Sequence, residues 1–275
     1  MGSALVLGGG GVAGISWTTG VLAGLAGAGV DLTGADLLVG TSAGSAVAAQ
    51  IGSGRPLEQL YARQADPALQ TKEIHPDGLS MTELMETWTR MAEDFTDPAA
   101  RRRRAGELAR AARTVPGPER RAVIEDRLPA WSWPDRRLLI TVVDAMTGEP
   151  RVFDRDSGVG LVDAVAASCA VPMVWPTVPI DGVPYLDGGM RSTVNADLAA
   201  GHDPIVVVAP IPDPDLERDL AALVRTSRVE LVTPDEASLA AIGADPLAPG
   251  TRSPAAEAGR AQGARLAPRL ADLHM

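Results

Sequence analysis

The chain alternates short apolar runs with longer segments of helical period, the pattern of a sheet wrapped in helices. Ala4 to Leu7 is an unbroken apolar run ahead of a glycine cluster and predicts a buried strand. Across residues 14–28 the apolar positions Ile15, Val21, Leu22 and Leu25 fall close to helical spacing and predict a helix. Residues 37–39 predict a second buried strand, and the alanine-rich stretch 43–51 a second helix. From 56 to 128 charge rises and no convincing strand recurs. Several helices are expected there, one carrying Met81, Leu84, Met85, Trp88, Met91 and Phe95 on a single face. Strand character returns at 138–143, with 151–153 as its partner. Segments 177–180 and 183–186 flank Asp181-Gly182, a dipeptide that favours a tight hairpin. Two further buried strands, 205–209 and 229–232, bracket a helix at 215–225. A loop at 246–254 leads to a closing helix at 255–273. The expected architecture is one α/β domain over residues 1–275 with a mainly parallel sheet. It carries a helical insert at 56–130 and a C-terminal loop and helix from 246 to 275.

Composition narrows the function. Of 275 residues 45% are hydrophobic and 22% charged, which is globular material. With 25 basic against 35 acidic side chains the net charge is −10, and this argues against a general affinity for nucleic acid. Lys72 is the only lysine. The lone cysteine, Cys169, excludes an internal disulfide framework and a cysteine-built zinc site, and is expected to be a small buried residue. His75, His202 and His274 are far apart in sequence, so neither a metal site nor any other cofactor is expected. No basic region precedes the apolar opening, and Val6 stands where myristoylation wants Ser or Thr. The apolar run 161–180 is interrupted by Asp163, Pro172, Pro176 and Pro179 and reads as buried helix and loop. The expectation is a soluble cytoplasmic protein. The basic run Arg101 to Arg104 reads as a solvated helix face, with peripheral contact to an anionic lipid surface as its functional alternative.

Three constellations could carry chemistry. Gly8 to Gly14 follows a strand and opens a helix. Gly9, Gly11 and Gly14 fit the dinucleotide fingerprint, with Asp31 or Asp36 at about the expected distance. Equally, consecutive glycines let backbone N–H groups converge on a developing anion. Gly40-Thr41-Ser42-Ala43-Gly44 lies between a strand and a helix and has the form of a nucleophile elbow, whose sharp turn demands small neighbours. Asp187-Gly188-Gly189 follows the hairpin, so a strand delivers the aspartate and two glycines permit a sharp exit. A nucleophilic serine needs a base. If none of the three histidines serves, a carboxylate within reach of Ser42 must.

Together these residues resemble the patatin-like phospholipase family. The glycine-rich segment Gly9 to Gly14, the elbow Gly40 to Gly44, the block Ala167-Ser168-Cys169-Ala170-Val171-Pro172 and Asp187 to Gly189 match its motifs in order. Asp187 follows Ser42 by 145 residues, as the resemblance requires. The resemblance implies a three-layer α/β/α fold and a Ser-Asp dyad without histidine, with Ser42 as nucleophile and Asp187 as base. It also implies an oxyanion hole at Gly9, Gly10 and Gly11, an elbow held by Gly40 and Gly44, and a lipid or small ester as substrate. One departure is Ala13, where the family commonly has Arg or Lys; this weakens the inference to phospholipid head groups more than that to ester hydrolysis. Three alternatives stand beside it: a dinucleotide-binding protein, an α/β-hydrolase using His202 as third member of a triad, and a catalytically degenerate scaffold.

Overall fold

The structure is a computed structural model that describes residues 2–76, 80–211, 213, 216–273 and 275, without the side chains of 218 and 219. Its strands are β1 (Ala4–Leu7), β2 (Leu37–Gly40), β3 (Arg137–Asp144), β4 (Pro150–Phe153), β5 (Val178–Ile180), β6 (Val183–Asp187), β7 (Ile205–Val208) and β8 (Val229–Val232). Helices α1 (Gly11–Gly27), α2 (Ala43–Gly52) and α3 (Leu57–Ala65) occupy the first part of the chain. The insert continues with α4 (Met81–Asp94), α5 (Pro98–Ala111) and α6 (Gly117–Arg127), and no strand interrupts its described residues. Then come α7 (Leu161–Ser168), α8 (Leu216–Leu220), α9 (Glu236–Ile242) and α10 (Arg252–Leu270).

One sheet runs in the order β5-β6-β3-β2-β1-β7-β8, with β4 on the far edge of β3. The five strands from β3 to β8 in this order are parallel, whereas β4, β5 and β6 are antiparallel. The sheet is therefore mixed, the antiparallel part being two hairpins that need no crossover helix. In the second hairpin Asp181 and Gly182 both take positive φ, 50° and 81°, as a tight two-residue turn requires.

Strand alternation divides the core. Leu5, Leu7, Leu38, Ile140, Val206 and Val208 face a large cluster with α1, α2, α7 and α10. Ala4, Val6, Leu37, Val39, Ile205 and Val207 face the other way, where α8 and short 3₁₀ turns at Ala196–Ala199 and Leu223–Arg225 form a thinner third layer. α1 is buried from Val12 to Leu25 because the sheet covers one side and α10 the other. That second contact is unusually close. A Cβ at Gly24 would stand 2.1 Å from the Arg260 carbonyl oxygen, and one at Gly20 2.2 Å from that of Ala256. Gly259 and Gly263 meet α1 backbone at 2.3 and 2.2 Å in the same way. Gly24→Val is therefore expected to force the helices apart and lower stability by about 3 kcal/mol or more, read by denaturant unfolding. An unchanged midpoint would contradict this packing.

Element boundaries depart from the sequence reading in several places. α1 begins at Gly11 rather than residue 14, so the glycine cluster belongs partly to the helix. α10 begins at Arg252, since Pro254 fits the first turn of a helix instead of ending the loop. The expected helix at 215–225 is broken into α8 and a 3₁₀ turn, and residue 215 lies outside the described residues. α9, capped by Asp235 at the Ser238 N–H, was not anticipated.

Candidate active site

The sheet brings two chain segments to one point on β3. β2 pairs with β3 as far as Gly40 beside Ile140. β6 runs the opposite way and ends with Asp187 beside Val142. β4 occupies positions 140 to 143 of the other edge, so β2 and β6 share one edge and their ends converge at Thr141. Gly40 leads straight into Ser42, and Asp187 closes β6.

Ser42 has φ 52° and ψ −119°, a strained conformation of the kind concentrated at functional sites and costing roughly 1–3 kcal/mol. Small neighbours permit it: a Cβ at Gly40 would lie 2.5 Å from Ser45 Cα, and one at Gly44 1.9 Å from the Leu7 carbonyl oxygen. The turn is pinned from α7. The Ser42 N–H donates to Ser168 Oγ at 2.9 Å, and the Cys169 thiol donates to the Ser42 carbonyl at 3.2 Å. The same block holds the aspartate, whose N–H donates to the Ala170 carbonyl at 3.0 Å.

Asp187 is 4% exposed and Ser42 7%. Burial pushes the Asp187 carboxyl up to about 7, against the opposing pull of the nearby Ser42 hydroxyl and the Gly189 N–H. Gly189 N–H donates to Oδ1 at 2.7 Å, while Oδ2 is buried without a hydrogen bond among the described residues. Ser42 thus lies close enough to favour the carboxylate without completing a hydrogen bond to Oδ2, a separation common before substrate binds.

The glycine loop runs alongside. A Cβ at Gly9 would be 3.5 Å from Ser42 Cβ, so this residue is the near wall. Its N–H donates to the Thr193 carbonyl at 2.8 Å and is unavailable to an oxyanion. Gly10 is the N-cap of α1 and Gly11, with φ 63°, its first residue; neither N–H has a hydrogen bond among the described residues. The Ala13 N–H is taken by the Pro246 carbonyl at 3.0 Å, which seats the C-terminal loop on this turn.

Several supporting residues carried no sequence signal. Asn195, in left-handed conformation at φ 52°, donates through Nδ2 to Thr41 Oγ1 at 3.0 Å and to the Ser192 carbonyl at 2.7 Å. The same amide lies 3.3 Å from both Thr141 Oγ1 and the Gly188 carbonyl. It therefore ties the elbow, β3 and the aspartate loop together. Ser168 was visible only as one of a run of small residues.

The histidines are elsewhere. His202 precedes β7, at the end of the parallel strands opposite to Ser42, with Nδ1 against the Ala199 carbonyl at 3.1 Å. His75 is exposed, 3.2 Å from Asp245, and His274 lies outside the described residues. Asp36 also sits at the start of β2, bonded to Ser3, and Asp31 closes a turn onto Thr33. A dinucleotide would need its acidic residue at the other end of that strand. Among the described residues no cluster of His, Cys, Asp or Glu is arranged to hold a metal ion.

A cavity of about 20 Å³ adjoins Ser42, walled by Gly11, Ile74, Arg120, Val171, Trp175 and Leu247 among others. Above it Leu84, Val174 and Trp175 pack with Met81, Trp88 and Leu247, so the predicted apolar stripe on α4 faces the roof. Met85 departs from that stripe and is exposed. The basic run is spent locally: Arg101 bonds the Phe95 carbonyl, Arg102 the Gly148 carbonyl, and Arg103 and Arg104 approach Asp97 and Glu107. No helix among the described residues is long and apolar enough to cross a membrane.

No curated protein matches the chain. Among solved structures, VipD from Legionella pneumophila is similar with a TM-score of 0.52 at 13% identity, over 98% of this chain and 67% of VipD. The type III effector protein ExoU gives 0.41 at 17% identity, over 97% of this chain and 53% of its own. The chain thus spans about two thirds of the first and half of the second. At 13% identity the likeness to VipD speaks for the fold alone, the α/β arrangement with helices around a central sheet. The pattern that defines the family described as Patatin-like phospholipase matches residues 5–200, from β1 past the Asp187 loop. That span holds the elbow, the glycine loop and the buried aspartate. The chain belongs to the patatin-like phospholipase family, whose members are lipid hydrolases.

Proposed function

We propose that the chain cleaves carboxylic ester bonds of lipids or small esters by a Ser42–Asp187 dyad through an acyl-enzyme. The observation that carries this is the meeting of a strained serine and a buried carboxylate oxygen that is unpaired, with no histidine beside them, among the described residues. In the first half-reaction Ser42 Oγ attacks the ester carbonyl carbon while its proton passes to Asp187 Oδ2. Negative charge gathers on the carbonyl oxygen, within the field of the free Gly10 and Gly11 N–H groups and the positive end of α1. The C–O bond breaks and the leaving alcohol takes the proton from Asp187. Water then gives a proton to Asp187 and its oxygen to the acyl carbon; the acid departs and Ser42 recovers its proton.

The apolar cluster between α4 and residues 171–175 is the natural wall for an acyl chain, and flexible methionines suit that task. A cavity of about 20 Å³ has room for about one water, so its wall must open for an ester to enter.

The direct test is acid release from p-nitrophenyl butyrate and from phosphatidylcholine in mixed micelles. Release by the wild type, with Ser42→Ala at background, is expected. No release from either, or equal release by Ser42→Ala, would overturn the reading. The base must be ionised to act, and its pKa lies near 7. kcat/KM for a neutral ester is therefore expected to rise with pH, about fivefold from pH 6 to 7 and levelling above 8. A profile already flat from pH 5 would contradict Asp187 as the base.

A further inference from the structure

We propose that Arg120 forms an anion-binding subsite inside the Ser42 cavity, and that the substrate carries an oxyanion group, phosphate or carboxylate, near its scissile ester. This rests on the reading of Ser42 as nucleophile and adds the class of substrate.

The helical insert and α10 bury an imbalance of charge. Arg120, Arg127 and Arg252 surround the single carboxylate of Glu73, and all four side chains are no more than 8% exposed. Arg127 takes Glu73 in a two-pronged contact, Nε to Oε1 at 2.9 Å and Nη2 to Oε2 at 2.6 Å. Burial alone would raise Glu73, but Arg127 together with Arg120 and Arg252 outweighs it and holds the carboxyl below its usual range. Arg252 is satisfied by the carbonyls of Thr71 and Arg63 and by Gln64 Oε1, at 2.9, 3.1 and 2.8 Å.

Arg120 has no such settlement. Its nearest carboxylate oxygen is 3.7 Å away, beyond hydrogen-bond range. Its Nε and Nη1 are buried without a hydrogen-bond partner among the described residues. The guanidinium lies over the Trp175 ring at 3.8 Å, which stabilises the cation without using its N–H donors. Burial, with Arg127 nearby, pushes it down to about 9, the direction expected of an uncompensated buried cation.

Arg120 also lines the cavity that contains Ser42, as does Arg127. A planar donor held rigid by an aromatic face and presenting free N–H groups is suited to phosphate or carboxylate oxygens. Unpaired buried donors are costly, and an anion at this position would remove the cost. Because the donor and Ser42 share one small cavity, the anion and the reacting ester belong to the same molecule.

The test combines binding and turnover. Calorimetry with dodecyl phosphate, laurate, dodecanol and inorganic phosphate is performed on the wild type and on Arg120→Gln, whose fold is verified by circular dichroism. At least one amphiphilic anion is expected to bind the wild type tenfold or more tightly than Arg120→Gln, with dodecanol weaker in the wild type. Preference for dodecyl phosphate would identify a phospholipid-type head group, and preference for laurate a carboxylate. Equal binding to both proteins, no preference over dodecanol, or inorganic phosphate binding as well as dodecyl phosphate would overturn the proposal. Should Arg120→Gln fail to fold, the wild type alone decides. Its kcat/KM for mono-p-nitrophenyl glutarate or for phosphatidylglycerol should exceed that for the matched neutral ester at least tenfold, and parity for both would overturn the subsite. Arg120-dependent binding by a chain that cleaves no ester would keep the subsite and sink the hydrolase reading. Ester cleavage indifferent to charge would do the reverse.

Discussion

Replacing Ser42 by alanine or Asp187 by asparagine is expected to lower the turnover of a chromogenic short-chain ester by about 10³- to 10⁴-fold, with the secondary structure unchanged. Ser42→Ala removes the proposed attacking oxygen from a turn whose backbone is fixed by Ser168, Cys169 and the close approach of Gly44 to Leu7. Asp187→Asn keeps the size and the Gly189 contact but removes the proton acceptor. The two losses should not multiply in the double variant, since either removes the same step. Residual activity within tenfold of the wild type in either single variant would exclude the dyad, as would additive losses.

The second large effect concerns stability. Asp187 titrates near 7 in the folded chain, against 3.8 for an unperturbed carboxyl. A raised carboxyl pKa means that the folded state binds the proton more tightly than the unfolded chain. Its contribution is fully present below pH about 4 and is lost as pH rises through 7. By pH 8 the ionised group disfavours folding by up to about 4 kcal/mol, since each pKa unit corresponds to about 1.4 kcal/mol. Asp187→Asn, which cannot ionise, is expected to unfold at higher denaturant than the wild type at pH 8, the difference shrinking towards pH 4. Ser42→Ala serves as control, because it leaves the carboxylate in place. A variant no more stable than the wild type at pH 8 would show that Asp187 is not held in an apolar setting. Such a trade of stability for function is common at active sites.

Much of this was legible in the chain. Short unbroken apolar runs marked β1, β2 and β7, because strands buried on both faces need no alternation. The elbow was legible because a sharp turn restricts its neighbours chemically: Gly40 and Gly44 leave a mark that ordinary packing does not. The hairpin at Asp181-Gly182 was legible for the same reason. What escaped notice depends on contacts distant in sequence. Asn195 reaches Thr41 across 154 residues, and nothing near it in sequence marks it as a hub. Gly9 fitted the glycine pattern, yet its N–H is committed to Thr193, a partner 184 residues away. Nothing in the sequence marks Glu73, Arg120 and Arg127 of the helical insert, or Arg252 of the C-terminal segment, as one cluster. Only the folding of that insert onto α1 and α10 buries it. α10 starts at Arg252 rather than at the expected residue 255, because Pro254 in its first turn is compatible with a helix.

The proposed dyad makes Ser42 a nucleophile activated without histidine. Its most direct measurement is intact-mass and peptide mapping after exposure to a fluorophosphonate. The wild type is predicted to gain a single phosphonyl adduct on the peptide containing Ser42, His202→Ala and His75→Ala to gain the same adduct, and Ser42→Ala none. An unmodified wild type, an adduct mapped to another residue, or loss of labelling in a histidine variant would contradict it.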